Sequence, residues 1–382
     1  MTSSPRPLIP YNIPLLTGRE QTYVLQTIQN RRFSGDGPVM RKCEKLLESR
    51  LGAQKVLLTP SCTHAIEMAA LLLDIKPGDE VIMPSYTFVS SANAFVLRGA
   101  TIVFVDVDPV TMNIDPQCVR AAVTPHTRAI LVVHYAGVGC DMDALLEIVQ
   151  GTEIALIEDA AQAIAASYKG RPLGSIGALG CISFHETKNL HCGEGGALVV
   201  NDRRMVSRAE ILREKGTNRS NFLRGEVDKY TWVDIGSSYL PSEVSAAFLL
   251  PQLEDADAIT ERRTALWQRY YAGLANSGLE LPRPPADCRH NGHIFWVKFA
   301  DEATRDNMIA ALRAEGIQAP FHYVPLHATG PGRRFGRFQG ADKWTTREAS
   351  RLLRLPLYDS LTEADQERVI ATLLRLCGSA QQ

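Results

Sequence analysis

Cys181-Ile182-Ser183-Phe184-His185-Glu186-Thr187-Lys188-Asn189-Leu190-His191-Cys192-Gly193-Glu194-Gly195-Gly196-Ala197-Leu198-Val199-Val200 reads as a short apolar strand, a polar turn, a glycine-rich bend and a second strand. The two apolar runs are too short for helices and are separated by turn residues, so both belong to a sheet. The polar turn carries a single lysine. A loop at a strand end can carry chemistry, because the scaffold fixes the position of a side chain that the loop leaves reachable. The ordinary alternative is a solvated surface lysine, and the rest of the chain decides between the two.

Upstream, the β-rich runs at 55–59, 80–84, 101–107, 128–134 and 154–159 alternate with helical stretches. Continuous Val/Ile/Leu runs of this kind are strands covered on both faces. With the two strands around Lys188 they predict a mostly parallel, seven-stranded α/β sheet between residues 55 and 201. Before it come an extended Pro-rich lead, a helix near 19–30, a turn at Ser34-Gly35-Asp36-Gly37-Pro38 and a helix near 39–51. That turn is either a plain connector or a loop touching substrate. After residue 201 the chain changes character: a helix at 205–215, a polar irregular segment at 216–238 and a long helical region at 241–275. Apolar runs at 294–299 and 320–325 then bracket a helix at 304–315, and a helix at 363–376 closes the pattern. The organisation read from this is a large α/β domain over 31–250 and a smaller α+β domain over 251–382. Residues 1–30 form an N-terminal segment returning to the smaller domain.

Bulk properties exclude several function classes. A chain of 382 residues is long enough for two cores. The formal net charge of −1 gives no field for nucleic acid or an anionic membrane. Eight cysteines are scattered without a Cys-x-x-Cys pair, which disfavours a metal site and a disulfide framework and fits a reducing compartment. Neither a signal core nor a membrane-length apolar run is visible, so a cytoplasmic enzyme is expected.

In an open parallel sheet, ligands collect at the carboxyl ends of the strands. Ser61-Cys62-Thr63 opens a helix after the first strand and is either an N-cap or a phosphate site. Asp159 closes the 154–159 run and is either a cap or an anion aimed at a cationic ligand atom. Phe88 follows another strand end, where it is either core or a plane covering a flat ligand. Ser183 lies on the strand before Lys188. A phosphate cradle, an aromatic face, a carboxylate and a lysine at one sheet edge match the needs of pyridoxal 5′-phosphate. His134, Tyr135 and His185 stand open between support and substrate contact.

These residues also carry a resemblance. Ser34-Gly35-Asp36-Gly37, Glu158-Asp159-Ala160-Ala161-Gln162, Ser183 to Asn189, Gly193-Glu194-Gly195-Gly196 and His322-Tyr323-Val324-Pro325-Leu326-His327 resemble the DegT/DnrJ/EryC1/StrS sugar aminotransferases. The resemblance runs from about Ile9 to Leu376. It implies a fold type I pyridoxal phosphate architecture, with Lys188 as the Schiff-base lysine and Asp159 at the pyridine nitrogen. It further implies Gln162 near the ring hydroxyl, Phe88 stacked on the ring, and Cys62, Thr63 and Ser183 on the phosphate. Ser238 stands where the family usually has an asparagine that reaches the neighbouring subunit's cofactor, so a homodimer is implied. Lys229, His322 and Tyr323 are implied to meet a nucleotide sugar. Segments 68–99 and 213–240 resemble the enterobacterial branch that makes dTDP-4-amino-4,6-dideoxygalactose for common-antigen synthesis. The implied reaction takes the amino group of glutamate to C4 of a dTDP-linked 4-keto-6-deoxy sugar. Action at C3, or on a UDP-linked sugar, is the nearer alternative, and a non-catalytic regulator the distant one. Some relatives carry histidine at the lysine position and dehydrate instead; Lys188 argues for transamination.

Overall fold

The computed structural model describes residues 7–379; the first six residues of the Pro-rich lead lie outside it. The seven expected strands are β1 (Lys55–Thr59), β2 (Glu80–Pro84), β3 (Thr101–Val105), β4 (Thr127–Val133), β5 (Ala155–Asp159), β6 (Leu179–Ser183) and β7 (Gly196–Val200). Later come β8 (Phe295–Lys298), β9 (Gly336–Phe338) and β10 (Leu352–Leu355). The main sheet has eight strands in the order β1-β7-β6-β5-β4-β2-β3-β9. Pairings from β6 to β9 are parallel, while β7 runs antiparallel to both β1 and β6. The eighth strand, Gly-Arg-Phe, is short and carries no apolar run that would mark it in the sequence.

Alternation along the strands sorts their side chains into two cores. Ile130, Val132 and Leu156 pack on one face with the Pro38–Leu51 helix; Leu131, Val133 and Ile157 pack on the other with the Cys62–Leu72 and Val89–Val96 helices. The same period separates the two acids at the end of β5. Glu158 turns to the first face and Asp159 to the second, with Ile157.

A third core lies in the C-terminal part, where β8 and β10 pair beneath the Ala256–Leu274, Glu302–Ala314 and Glu363–Ser379 helices. The 241–275 region is two helices, Glu243–Glu254 and Ala256–Leu274, which part at Asp255. Ile9 joins this core by pairing with Ile317, whereas the Glu20–Gln29 helix rests on Glu243–Glu254, with Arg19 and Tyr23 bonded to Glu254. Asp106, just past β3, accepts bonds from the amides of Lys343, Trp344 and Thr345 and from the Thr345 hydroxyl, tying the large sheet to the Thr345–Arg351 helix. The 320–325 run forms no strand and makes one bridge, Phe321 to Leu353; Tyr323 there sits at φ 47°. Among the described residues no helix is long and apolar enough to cross a membrane.

Candidate active site

Lys188 hangs in the loop between β6 and β7. Hydrogen bonds from the Phe184 amide to the Gly195 carbonyl and from the Glu186 amide to the Gly193 carbonyl, at 2.8 and 2.9 Å, extend the hairpin to the foot of the turn. The next residue locks it: buried Asn189 donates to the Asn291 carbonyl at 3.0 Å and pairs with His293 Nδ1 at 2.7 Å. Among the described residues the Lys188 ammonium makes no hydrogen bond or ion pair, so the side chain is aimed without being tethered. Burial lowers its proton affinity against the opposing pull of Cys62 and Asp159, and the Arg354 charge lowers it slightly further. The shift favours the neutral amine, the form able to act as nucleophile and base.

Asp159 is buried on the sheet face shared with Ser183 and the Val89–Val96 helix. Its Oδ2 accepts from the Ser91 hydroxyl at 2.8 Å and its Oδ1 from the Ala161 amide at 3.1 Å. Burial nevertheless pushes this carboxyl above the ordinary carboxylate range, with those donors and Lys188 only partly opposing it. A cationic ligand atom at this spot would hold it ionised.

Glu158 is occupied elsewhere. It accepts from the amides of Gly174, Ile176 and Gly177 at 2.6–2.7 Å and pairs with buried His134 at 2.9 Å. This assigns His134 to support. Glu158→Ala should therefore cost about 3 kcal/mol or more of stability, because it strands three buried amides; denaturant titration reads this, and an unchanged midpoint would refute it.

The start of the Cys62–Leu72 helix faces the beginning of β7. A Cβ on Gly196 would lie 2.4 Å from the Cys62 amide nitrogen, so only glycine lets the returning strand come this close. Ser61 caps the His64 amide, while among the described residues the Cys62 and Thr63 amides have no acceptor. Thr63 Oγ1 donates to Ser90 Oγ at 2.8 Å. Two free amides at a helix N-terminus, with hydroxyls beside them, form a seat for a phosphate.

The opposite wall is aromatic. Tyr86 donates to Tyr135 at 3.2 Å, and Tyr135 pairs with His322 Nδ1 at 2.9 Å. His322, kept neutral by burial, stacks on Tyr323 with ring centres 3.6 Å apart. Gln162 accepts from the Ala136 amide at 2.7 Å and donates to the Tyr323 hydroxyl at 3.2 Å. This network holds Tyr323 in the left-handed region, a conformation that costs a non-glycine residue roughly 1–3 kcal/mol. Phe88 stays 56% exposed at the rim, its ring 6.3 Å from that of Tyr323.

The structure thus brings Lys188, Asp159, Gln162, Phe88, Cys62, Thr63, Ser183, His322 and Tyr323 to one cleft. It does not bring Lys229 or Ser238 there: both are exposed in the 216–238 segment, and Ser238 bridges Glu214. His185 turns back on its own loop, against Thr187 and Glu194. Reading the sequence misses Ser91, Tyr86 and Arg354. Ser91 and Tyr86 sit inside an already flagged strand-to-helix segment, but nothing marks which of its residues turn inward. The donor set fits pyridoxal phosphate: free amides and hydroxyls for its phosphate, a buried acid for its ring nitrogen and an untethered amine for its aldehyde.

A model of the DegT/DnrJ/EryC1/StrS aminotransferase family matches residues 14–374. The chain is 34% identical over 371 residues to the spore coat polysaccharide biosynthesis protein SpsC of Bacillus subtilis, covering 95% of each chain. It is 34% identical over 374 residues to the GDP-perosamine synthase of Caulobacter vibrioides, covering 96% of this chain and 98% of that protein. The crystal structure of S. venezuelae DesV, in complex with a ketimine intermediate, superposes with a TM-score of 0.88 at 31% identity, over 97% of this chain and 99% of that one.

Proposed function

The chain belongs to the DegT/DnrJ/EryC1/StrS aminotransferase family and is a pyridoxal phosphate-dependent sugar aminotransferase; we propose that it carries the amino group of glutamate to C4 of dTDP-4-keto-6-deoxyglucose. The products are dTDP-4-amino-4,6-dideoxygalactose and 2-oxoglutarate. The observation that carries the amino-transfer reading is an untethered loop lysine of lowered proton affinity within electrostatic reach of a buried carboxylate. The choice of sugar rests on segments 68–99 and 213–240, which resemble the dTDP-sugar branch of the family.

Lys188, Asp159, Gln162, Phe88, Cys62, Thr63 and Ser183 are assigned to the cofactor in this reading. When bound, pyridoxal phosphate supplies an electron sink for the carbon that loses its proton and stores the amino group between half-reactions. Lys188 Nζ takes the proton from the α-carbon of glutamate and, in the second half, returns one to the sugar carbon that receives the amine. Asp159, held in place by the Ser91 hydroxyl and the Ala161 amide, would face the ring nitrogen and keep it protonated. The Cys62 and Thr63 amides orient the phosphate, and Gln162, His322 and Tyr323 shape the wall against which the sugar lies.

Lys229 and Ser238 are assigned to a site shared between two copies. The segment that holds them exposes Trp232 at 77% and Tyr230 at 54% beside Leu223 and Val233. Apolar exposure on that scale marks an interaction surface, and a homodimer buries it.

The test offers dTDP-, UDP- and GDP-linked 4-keto-6-deoxy sugars, and 3-keto counterparts, with glutamate, and identifies the product by NMR. The GDP arm is included because the Caulobacter relative is a GDP-perosamine synthase. An axial C4 amine on the dTDP sugar, formed at least about tenfold faster than with the other nucleotides, is the expected result, since a built contact to the base is worth a kcal/mol or more. Preference for another nucleotide or for C3 would replace the sugar assignment.

A further inference from the structure

Arg354 is a cation without a facing anion. It stands on β10, where Leu353 and Leu355 turn into the C-terminal core while Leu352 packs with Tyr86, Tyr135 and Trp296. The two-residue period places Arg354 on the Leu352 side, and its cross-strand partner Trp296 belongs to the same aromatic group. Nη1 donates to the Tyr11 hydroxyl at 2.9 Å and Nη2 to the Phe321 carbonyl at 3.0 Å, with the Tyr11 ring 4.6 Å from the guanidinium. Nε is buried with no acceptor, and among the described residues no carboxylate lies within ion-pair range. Phe321 directly precedes His322 and Tyr323, so the guanidinium is anchored at the foot of the cleft's aromatic wall.

A half-buried guanidinium served by two neutral oxygens is under-satisfied, and its fork geometry matches a carboxylate. Two anions could enter this cleft under the reading above: a carboxylate of the donor amino acid and the diphosphate of the nucleotide sugar. The donor's α-carboxylate is bonded to the carbon that Lys188 deprotonates, whereas the diphosphate is held away from the reacting carbon by the whole hexose ring. Arg354 is near enough to Lys188 to influence its protonation.

We propose that Arg354 receives the α-carboxylate of the amino donor, which makes it the group that holds the donor's α-carbon at Lys188 in the first half-reaction. This rests on the amino-transfer reading of the site. It adds a binding residue on the C-terminal part, facing a cofactor seat built from the large sheet.

The cofactor-loaded enzyme tests it in two ways. The half-reaction with glutamate alone is followed in the cofactor's absorbance, and binding of maleate, an unreactive dicarboxylate, is followed by calorimetry. Arg354→Gln is expected to raise the half-saturating glutamate concentration about a hundredfold, the scale of a lost charge-assisted pair. It should also abolish maleate binding and leave the KM for the nucleotide sugar within about twofold. Tyr11→Phe, which removes a hydroxyl partner and keeps the charge, should shift glutamate saturation no more than about threefold. Unchanged maleate affinity in Arg354→Gln would overturn the proposal, and so would a raised nucleotide-sugar KM with normal glutamate saturation, which would assign the diphosphate instead. Should the glutamine variant not fold, Arg354→Lys keeps the charge and loses the fork. About tenfold weaker maleate binding is then expected, and unchanged binding refutes the assignment. A wild-type enzyme that reacts with glutamate but aminates none of the nucleotide sugars would remove the sugar assignment and leave the role of Arg354 standing.

Discussion

Lys188→Ala is expected to lower turnover by at least about ten-thousandfold, the upper range for removing a positioned acid–base group, and to eliminate the visible absorbance of lysine-bound cofactor. Its thermal midpoint should stay close to that of the wild type, because the ammonium has no hydrogen bond or ion pair among the described residues and Asn189 fixes the loop. Loss of activity with an intact fold is the signature that separates chemistry from structure here. A variant that keeps measurable turnover and the absorbance band would remove Lys188 from the mechanism. The same geometry predicts a pH effect. A lysine acts as a base when neutral, and burial lowers its proton affinity, so wherever the free amine limits the rate, the rising limb of the profile should lie below the ordinary lysine value of about 10.4.

Asp159→Asn is expected to reduce the rate of both half-reactions on the order of a thousandfold, as removing one preorganised electrostatic group does. The amide oxygen can still accept from the Ala161 amide while the amide nitrogen donates to the Ser91 hydroxyl, but the group carries no charge to keep a ring nitrogen protonated. Stability should move the other way. Burial raises the Asp159 carboxyl above its unfolded value, so ionising it at neutral pH opposes folding of the cofactor-free protein, and a neutral asparagine removes that penalty. An unchanged or raised thermal midpoint together with the rate loss is the expected pair of results; a near-normal rate would show that Asp159 does not face the ring. Such a residue is kept for function at a cost in stability.

The fold was legible where the signal is local. Unbroken apolar runs mark strands buried on both faces, and each of the seven is in the sheet. The eighth, β9, escaped because a three-residue Gly-Arg-Phe strand is defined by its neighbour and not by its own composition. The 320–325 run misled for the same reason: it is irregular backbone that leaves Phe321 and Val324 exposed while His322 and Tyr323, the latter at positive φ, form the cleft wall. Lys188 and Asp159 were legible because each closes or follows a strand, where the topology leaves few directions to point. The division of labour between Glu158 and Asp159 follows from strand alternation once the neighbouring helices are in place. Ser91 and Arg354 were not legible, since a serine one turn into a helix and an arginine in a strand look like ordinary surface residues until tertiary contacts assemble around them.

The sheet that seats Lys188 takes its edge from residues 336–338, and Asp106 closes onto the amides at 343–345. In the other direction, Ile9 pairs with Ile317 inside the C-terminal core. The chain therefore crosses between the two parts in both directions. Losing the C-terminal part would strip the sheet of its edge strand and Asp106 of its donors, so the two parts are expected to melt together. Coincident transitions by far-UV and aromatic signals would show this, and separated ones would refute it.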